Sequence, residues 1–359
     1  MAEGDLSTVL LGLFGEVGSV MATEKKYRRE EKAYAGYRDD LIEELGDTLW
    51  YFNALCNRLN YEIQNIFSSE IRSEIYRNIQ VASDPPHSPN SHIAIVGDNT
   101  SIDELLLKLG QTTASLATVN RHSQTTSDLL YVFANQYMRT VKAVGMPFAE
   151  IVCRNVEKVR GRFLEFNLAD LPDFDKDFPA EERLPERFHV EIIQCSEGQS
   201  RMRWNGVFIG DPLNDSIMDS DGYRFHDVFH LSYAAILHWS PIFRRLIKRR
   251  RKSRPEINQT EDGGRTRVIE EGLSAWIFSR AKNQNFFEEQ ESLSFDLLKV
   301  LQGFVQGYEV EKCSLRLWEY AIMEGYKVFR EMRKNKEGVV IGDRSTRTIK
   351  YKPMGTTKS

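Results

Sequence analysis

The sequence of 359 residues has little cysteine and lacks an apolar run long enough to span a membrane. Its four cysteines lie far apart without CxxC spacing, which excludes a disulfide framework and a zinc ribbon and is typical of a reducing compartment. The closest approach to an apolar run, residues 231–239, falls well short of the ~20 residues that a membrane-spanning helix needs. The N-terminus carries acidic residues where an export signal needs basic ones. We therefore expect a cytoplasmic protein with no membrane partner.

An excess of charge of one sign is also missing. The 48 basic residues nearly balance the 52 acidic residues, so the net charge of −4 gives no overall field that would attract nucleic acid. Eight basic residues do concentrate in residues 244–254. That segment lacks the interleaved aromatic residues of a single-strand binding surface. We interpret it as a solvated basic helix end, and nucleic-acid binding by this run is the minor alternative.

Apolar residues recur mostly at helical spacing, which predicts a mainly α protein. Helical patterns cover residues 6–27 and 38–68, and Ser101 is the expected N-cap of the next helix. The segments HVEIIQC, RMRWNGVFIG and GVVIGDRSTRTIKYKP predict small β-hairpins in a mostly helical C-terminal domain. The predicted organisation is a helical hairpin in 1–82, a linker in 83–100, a second hairpin in 101–166, a linker in 167–188, an α+β domain in 189–352 and a tail in 353–359.

The two hairpins look like copies of one unit. Asp47-Thr-Leu-Trp-Tyr-Phe52 in the first matches Asp128-Leu-Leu-Tyr-Val-Phe133 in the second, and Glu44 falls opposite Thr125. The apolar residues therefore repeat, while most of the acidic residues belong to the first copy alone. Any two amphipathic hairpins share part of this pattern, but the joint agreement of aromatic spacing and acid position favours a repeat.

The acidic residues of the first hairpin predict a metal site. Glu16 lies on the first helix, and Glu44 and Asp47, three residues apart, lie on one face of the second. Packing of these helices would bring three carboxylates together, and carboxylate oxygens suit Mg²⁺ or Mn²⁺, which also bridge substrate phosphates. Lys25 and Lys26 would supply positive charge to a polyphosphate. The alternative is a solvated helix face with ordinary salt pairs.

The segments GLFGEVG at 12–18, EKK at 24–26 and EELGDTLWY at 43–51 resemble the MazG-like all-α nucleoside triphosphate pyrophosphohydrolases. That family carries a GExGE helix with trailing lysines and then an ELGDxLWY helix, and the resemblance covers residues 6–166. It implies that the acids of these segments hold a metal ion that activates water against a nucleotide polyphosphate. The residues assigned by resemblance are Glu16, Glu44 and Asp47 as metal ligands. The candidate catalytic residues are Glu43 and Glu44, because a carboxylate beside the metal would help to generate the nucleophile.

The sequence departs from the family pattern at one position. Ser19 stands where the family has the second glutamate of its ExxE pair, so one charge and one candidate ligand are missing. Glu43, or as a weaker alternative Glu24, would have to compensate. The departure keeps open a site that is slow or that only binds nucleotide.

The second hairpin ends in a segment similar to the family's closing helix with its NxxKxxxR pattern. Asn155, Lys158 and Arg162 match that pattern and lie on one helix face, from which an amide and two cations could contact a base, a sugar or a phosphate. The alternative is a basic helix end favoured by the helix dipole. Because the family usually pairs hairpins across a dimer, the tandem hairpins would form a pseudo-dimeric domain like a four-helix bundle. Further homo-oligomerisation stays open.

The C-terminal domain carries no motif that assigns it to a family, but it contains a second candidate site. His226 and His230 are spaced i, i+4, as two metal ligands on one helix would be, and Glu270 and Glu271 could add oxygen ligands. In this hypothesis Arg224, His226, His230 and Glu271 form a second polar pocket. The competing interpretation, which the residues alone favour, is a pair of buried histidines satisfied by hydrogen bonds to acids.

The residues and the resemblance together predict a Mg²⁺-dependent hydrolase that converts an NTP or dNTP and water to the nucleoside monophosphate and pyrophosphate. Four cations would neutralise phosphate charge, namely Lys25, Lys26, Lys158 and Arg162. The alternative is a nucleotide-binding sensor with weakened turnover that controls the C-terminal domain in a stress or antiviral response. No residue predicts the preference for base or sugar.

Overall fold

The computed structural model describes residues 6–67, 100–119, 125–163, 166–218 and 220–354, with the side chains of 162, 163 and 169 outside that description. These residues fall into two compact units, one ending at Arg160 and the other beginning at Gly161. The linker predicted at 83–100 lies outside the described residues except for its last position. Every helix in the described ranges is too short or too polar to traverse a lipid bilayer.

The first unit is built from helices. Apolar residues at steps of three and four, such as Val9, Leu13, Val17 and Val20, form the buried face of the first helix. The helices are α1 (Ser7–Glu30), α2 (Tyr37–Arg58), α3 (Ile63–Ile66), α4 (Ile102–Ser115), α5 (Thr126–Ala143) and α6 (Phe148–Phe163).

The helix α2 ends earlier than the predicted range of 38–68. It stops at Arg58 because Asn60 adopts a left-handed φ of 65° and the N–H of Tyr61 donates to the carbonyl of Cys56 at 2.9 Å. This bond closes the helix end as a Schellman turn. The predicted long second helix is therefore a shorter helix followed by the separate turn of α3.

The two hairpins, α1 with α2 and α4 with α5, share one apolar core. Phe52 and Phe133, which the sequence repeat aligns, meet there with ring centroids 4.6 Å apart. Ser101 caps α4 as predicted, since its hydroxyl accepts from the N–H of Glu104 at 3.3 Å. The duplication behind the two hairpins stays a prediction.

The second unit contains five strands, which are β1 (Arg187–Ser196), β2 (Gln199–Trp204), β3 (Val207–Leu213), β4 (Gly338–Asp343) and β5 (Thr348–Lys352). They form an antiparallel sheet in the order β3-β2-β1-β4-β5. The hairpin predicted from the tail is confirmed as β4 and β5. The segment RMRWNGVFIG, predicted to belong to a small β-hairpin, contributes to both β2 and β3, because Asn205 and Gly206 have φ values of 50° and 78° and form a tight hairpin turn.

Helices make up most of the rest of the second unit, so the mainly α fold class with a small β component is confirmed. The chain around the helix α7 (Asp227–Ser232) is irregular, with a 3₁₀ turn at Tyr223–Phe225 before it and a π-helical turn at Tyr233–Leu237 after it. The helices are α7 (Asp227–Ser232), α8 (Pro241–Leu246), α9 (Pro255–Thr260), α10 (Gly264–Lys282), α11 (Phe295–Val305) and α12 (Leu315–Asn335).

The basic segment 244–254 is partly turned inward. After α8 ends at Leu246 the chain turns, and the side chains of Arg244 and Arg251 are both buried. Arg251 pairs with Asp262 at 2.7 Å. The interpretation of this segment as a solvated helix end is therefore wrong for these two arginines.

Residues 167–188, predicted as a linker, contribute buried side chains to the second unit. Asp175 is 1% exposed and forms an ion pair with Arg244. Phe178 and Leu184 are buried as well. The acidic residues and prolines that predicted a linker therefore lie in a segment with several buried side chains.

Candidate metal centre

Three carboxylates of the first unit converge, and we call Glu16, Glu44 and Asp47 the acidic cluster. Glu16 comes from α1, and the other two come from the facing side of α2. An oxygen atom of each carboxylate lies within 4.8 Å of an oxygen of the other two, and all three residues are half-buried. The apolar faces of α1 and α2 pack together, so their neighbouring polar positions meet at the edge of that contact.

The spacing of the acidic cluster fits a small divalent cation. Ligand oxygens on Mg²⁺ lie about 2.1 Å from the ion, so two ligands of one ion are at most about 4.2 Å apart. Separations of up to 4.8 Å need only small side-chain adjustments to reach that geometry. The donor set, carboxylate oxygens alone, is the one that Mg²⁺ and Mn²⁺ accept.

The helix α6 brings an amide and a cation to the acidic cluster. Asn155 donates to Asp47 at 3.0 Å, and the ammonium of Lys158 contacts Asp47 at 2.5 Å and Glu43 at 2.9 Å. Gly46 permits this approach, since a Cβ there would lie 3.0 Å from the Cβ of Asn155. Groups from both predicted hairpin units thus meet at one site.

The charges of this site influence one another. Burial and the negative charge of Asp47 raise the pKa of Glu16 above the usual glutamate value, against the opposing effects of Glu44 and Lys158. Burial by itself disfavours the charged form of Lys158, yet its hydrogen bonds to Asp47 and Glu43 hold its pKa above the usual lysine value. A divalent cation would relieve the crowding of negative charge that Glu16 experiences.

The two acids considered as replacements for the missing glutamate differ in position. Glu43 is part of the site through its ion pair with Lys158. Glu24 is buried elsewhere, where it accepts from the hydroxyl of Tyr37 at 2.7 Å and from Arg28 at 3.2 Å. Glu43 is therefore in position to compensate, whereas Glu24 is engaged by Tyr37 and Arg28 in this arrangement.

The cations expected to bind phosphate are placed unequally. Lys158 contacts the carboxylates, and Lys26 lies over the ring of Tyr34, with its ammonium 3.8 Å from the ring centre. Lys25 is exposed on α1, and the side chain of Arg162 lies outside the described part of the chain. The sequence interpretation missed Tyr34, whose only signal was an aromatic residue inside a strongly charged connection.

The second candidate site is also assembled in part. The rings of His226 and His230 and the carboxylate of Glu271 meet between α7 and α10. Arg224 points elsewhere, because its guanidinium pairs with Asp215 at 2.8 Å. The four-residue pocket of the sequence hypothesis therefore reduces to three residues.

Buried charge surrounds His230. Its burial opposes the charged form, but Glu270 and Glu271 outweigh that effect and raise its pKa to about 10. Glu271 has a pKa below the usual glutamate value: burial acts against ionisation, and hydrogen bonds from both histidines overcome it. Glu270, the partner of His230 at 2.9 Å, is itself fully buried.

Comparison with known proteins adds a match to the second half of the chain. A protein-family model described as the MazG C-terminal domain matches residues 169–355. This is the region to which the sequence motifs assigned no family, so that earlier conclusion is corrected. The N-terminal resemblance lies outside the matched range.

A stretch of the chain is also similar to a phage protein. Gene 37 protein of Mycobacterium phage L5 is 38% identical over 63 residues, which are 17% of this chain and 55% of that protein. The chain thus spans about half the length of that curated relative. No solved structure matches the chain.

Proposed function

The chain belongs to the MazG C-terminal domain family, and from that premise we propose that it is a Mg²⁺-dependent nucleoside triphosphate pyrophosphohydrolase. The substrate is an NTP or dNTP, and the products are the nucleoside monophosphate and pyrophosphate. The observation that supports this proposal is the convergence of the acidic cluster with the ammonium of Lys158. Negative groups that gather around one point, beside a cation, suit a metal-bound polyphosphate better than a neutral ligand.

The acidic cluster would hold Mg²⁺, or Mn²⁺ in its place. When bound, the ion supplies positive charge to phosphate oxygens and lowers the pKa of a water molecule. Glu43, beside the cluster, accepts the proton of the attacking water. Lys158 exchanges its carboxylate partners for phosphate oxygens, and Asn155 orients the substrate through its amide.

The bond changes of the proposed reaction are those of a hydrolysis. The water oxygen forms a bond to the α-phosphorus, and the bond from that phosphorus to the bridging oxygen of the β-phosphate breaks. Pyrophosphate leaves with the electron pair, and Lys25 and Lys26 offer positive charge to it. One proton passes from water to Glu43 and then to solvent or product.

A second candidate function is a nucleotide sensor with little turnover. Ser19 favours it, because a hydroxyl replaces one carboxylate one turn after Glu16 and reduces the charge available to hold a metal. In this case nucleotide binding at the acidic cluster would act as a signal rather than lead to hydrolysis.

The decisive experiment is an incubation of the full chain with each NTP and dNTP in the presence of Mg²⁺, followed by measurement of monophosphate and pyrophosphate. We expect product from at least one nucleotide and a loss of about 100-fold or more in Glu44→Gln, since a metal ligand and its charge are removed. Asp39→Asn is the matched control, because Asp39 lies on the same helix in an exposed ion pair with Arg154 and should leave activity unchanged.

The same assay separates the two candidates. Nucleotide binding without any nucleotide-dependent product would overturn the enzyme and support the sensor. Equal activity in Glu44→Gln and the wild type would show that the acidic cluster takes no part in the reaction. Circular dichroism of each variant establishes that it is folded.

A further inference from the structure

The second unit contains two imidazole rings that face one carboxylate. Nε2 of His226 lies 3.0 Å from one oxygen of Glu271, and Nε2 of His230 lies 3.1 Å from the other oxygen. Both histidines are buried, whereas the side chain of Glu271 is 44% exposed. Three candidate metal ligands, two imidazoles and one carboxylate, therefore lie together, and the carboxylate is the one that solvent reaches.

The opposite nitrogen of each ring is fixed by a hydrogen-bond acceptor. Nδ1 of His226 lies 2.8 Å from the carbonyl of Tyr223, and Nδ1 of His230 lies 2.9 Å from the carboxylate of Glu270. Glu270 is itself held by the hydroxyl of Ser240 at 2.6 Å. Acceptors of this kind behind a histidine set the tautomer that presents Nε2 to a metal.

A nitrogen of each ring lies next to the same carboxylate. Each Nδ1 faces its own acceptor, and each Nε2 faces a different oxygen of Glu271. The ring centres lie 5.5 Å apart. One divalent cation among these groups would have a nitrogen of each ring and a carboxylate oxygen as ligands.

The distances of this arrangement fit one divalent cation between the two rings and Glu271. Donors of a tetrahedral ion that lie about 2.1 Å from it are about 3.4 Å apart, close to the observed nitrogen–oxygen separations. An oxygen of Asp227 within 4.8 Å of a nitrogen of each histidine provides a further candidate ligand.

We propose that His226, His230 and Glu271 form a second metal site, which binds a divalent transition-metal ion of the zinc type. Imidazole nitrogens select such ions over Mg²⁺, whereas the oxygen-only acidic cluster does the reverse. The two units of the chain would thus hold metals of different chemical class. Positions on the exposed side of the ion remain for water.

The test is zinc retention by the full chain, purified without a histidine tag. Metal is stripped with a chelator, Zn²⁺ is added, free ion is removed by desalting, and bound zinc is quantified by mass spectrometry. All measurements use a Glu44→Gln background, which removes a ligand of the acidic cluster. We expect about one zinc per chain, and a loss of about tenfold or more in affinity for His226→Gln and for His230→Gln.

Controls separate ligand loss from unfolding. His189→Gln removes an exposed histidine on β1 and should retain the metal. Glu271→Ala alters a partly exposed side chain, so it should stay folded by circular dichroism while zinc affinity falls about tenfold or more. Cobalt substitution should add visible absorption bands that are missing in His226→Gln.

Two results would overturn the proposal. One is a folded Glu44→Gln chain that retains no zinc, or that retains the same zinc after His226→Gln and His230→Gln are added. The other is a nitrogen magnetic resonance spectrum in which both rings stay doubly protonated after zinc treatment. Neither measurement depends on nucleotide hydrolysis, so failure here leaves the proposed reaction of the first unit untouched.

Discussion

At the scale of single residues, the negative charge of Glu16 should make the metal-free fold less stable. Burial and the charge of Asp47 raise its pKa, so its value in the folded chain lies above its value in the unfolded chain. Such a carboxyl lowers the free energy of unfolding when it is ionised. This destabilisation begins to fade as pH falls through the raised pKa of the folded chain, and it is absent below the pKa of the unfolded chain. We expect Glu16→Gln to raise the Tm of the metal-free chain at pH 7 by about 1–3 °C, with the difference shrinking towards pH 4.

Thermal unfolding with a chelator between pH 4 and pH 8 measures this difference. Asp39→Asn controls for the removal of any carboxylate from this surface and should change Tm little. Added Mg²⁺ should raise the Tm of the wild type more than that of Glu16→Gln. A lower Tm for the variant at pH 7, or a difference that grows as pH falls, would contradict the expectation.

Sequence spacing predicted which carboxylates meet but not what surrounds them. Glu44 and Asp47 share a helix face by arithmetic, and the neighbouring helix must pack its apolar face nearby, so the approach of Glu16 follows. The position of Tyr34 under Lys26 does not follow, because it depends on how a charged connection folds back. The pairing of Arg224 with Asp215 was equally beyond the sequence, since it depends on how the connection between β3 and α7 folds back on itself.

At the scale of helices, the contact between α2 and α6 depends on Gly46. A methyl group there would lie 3.0 Å from the Cβ of Asn155 and would push α6 outward. Alanine improves helix propensity by about 1 kcal/mol but overpacking costs about 1–3 kcal/mol. We expect Gly46→Ala to change stability by less than about 2 kcal/mol and to reduce nucleotide hydrolysis about tenfold or more, because Asn155 and Lys158 leave Asp47.

Gly18→Ala is the matched control for this helix contact. A Cβ at Gly18 meets no atom within 4 Å, so that variant should gain stability and keep its activity. Steady-state kinetics and urea unfolding on both variants provide the comparison. Full activity in Gly46→Ala would show that the approach of α6 is unimportant for the site.

The ends of elements were predicted less well than their existence. The end of α1 was expected near residue 27, but the helix continues to Glu30 because its charged residues are good helix formers that an apolar pattern ignores. Asn60 and the Asn205-Gly206 pair are local turn signals that apolar periodicity passes over. Periodicity therefore finds the helices and strands, while turn residues set their limits.

At the scale of the whole molecule, long-range ion pairs escaped prediction. Arg244 is held by Asp175 and Arg251 by Glu309, and these partners are far apart in the sequence. A cluster of like charges looks solvated when only its neighbours along the chain are considered. The family match over residues 169–355 likewise rests on a pattern spread across many positions rather than on one short motif.

The ion pairs of the second unit give a prediction about its stability. Asp262 is fully buried and accepts from the backbone N–H of Arg251 at 2.7 Å and from its guanidinium at 2.7 Å. Asp262→Asn removes one of the two carboxylates that pair with the buried Arg251, the other being Glu309, and breaking such a buried pair costs about 3–5 kcal/mol. We expect a fall of roughly 10 °C in the Tm of the transition that involves this unit, measured by scanning calorimetry.

The unfolding transition in which the Tm falls tests whether the two units are stabilised separately. Each unit has its own apolar core, so the shift that Mg²⁺ produces through the acidic cluster should persist in Asp262→Asn. Asp211→Asn, which removes an exposed carboxylate on β3, should change Tm little. Because a buried pair is poorly screened, the loss should remain in 1 M salt, and its disappearance there would place the interaction at the surface instead.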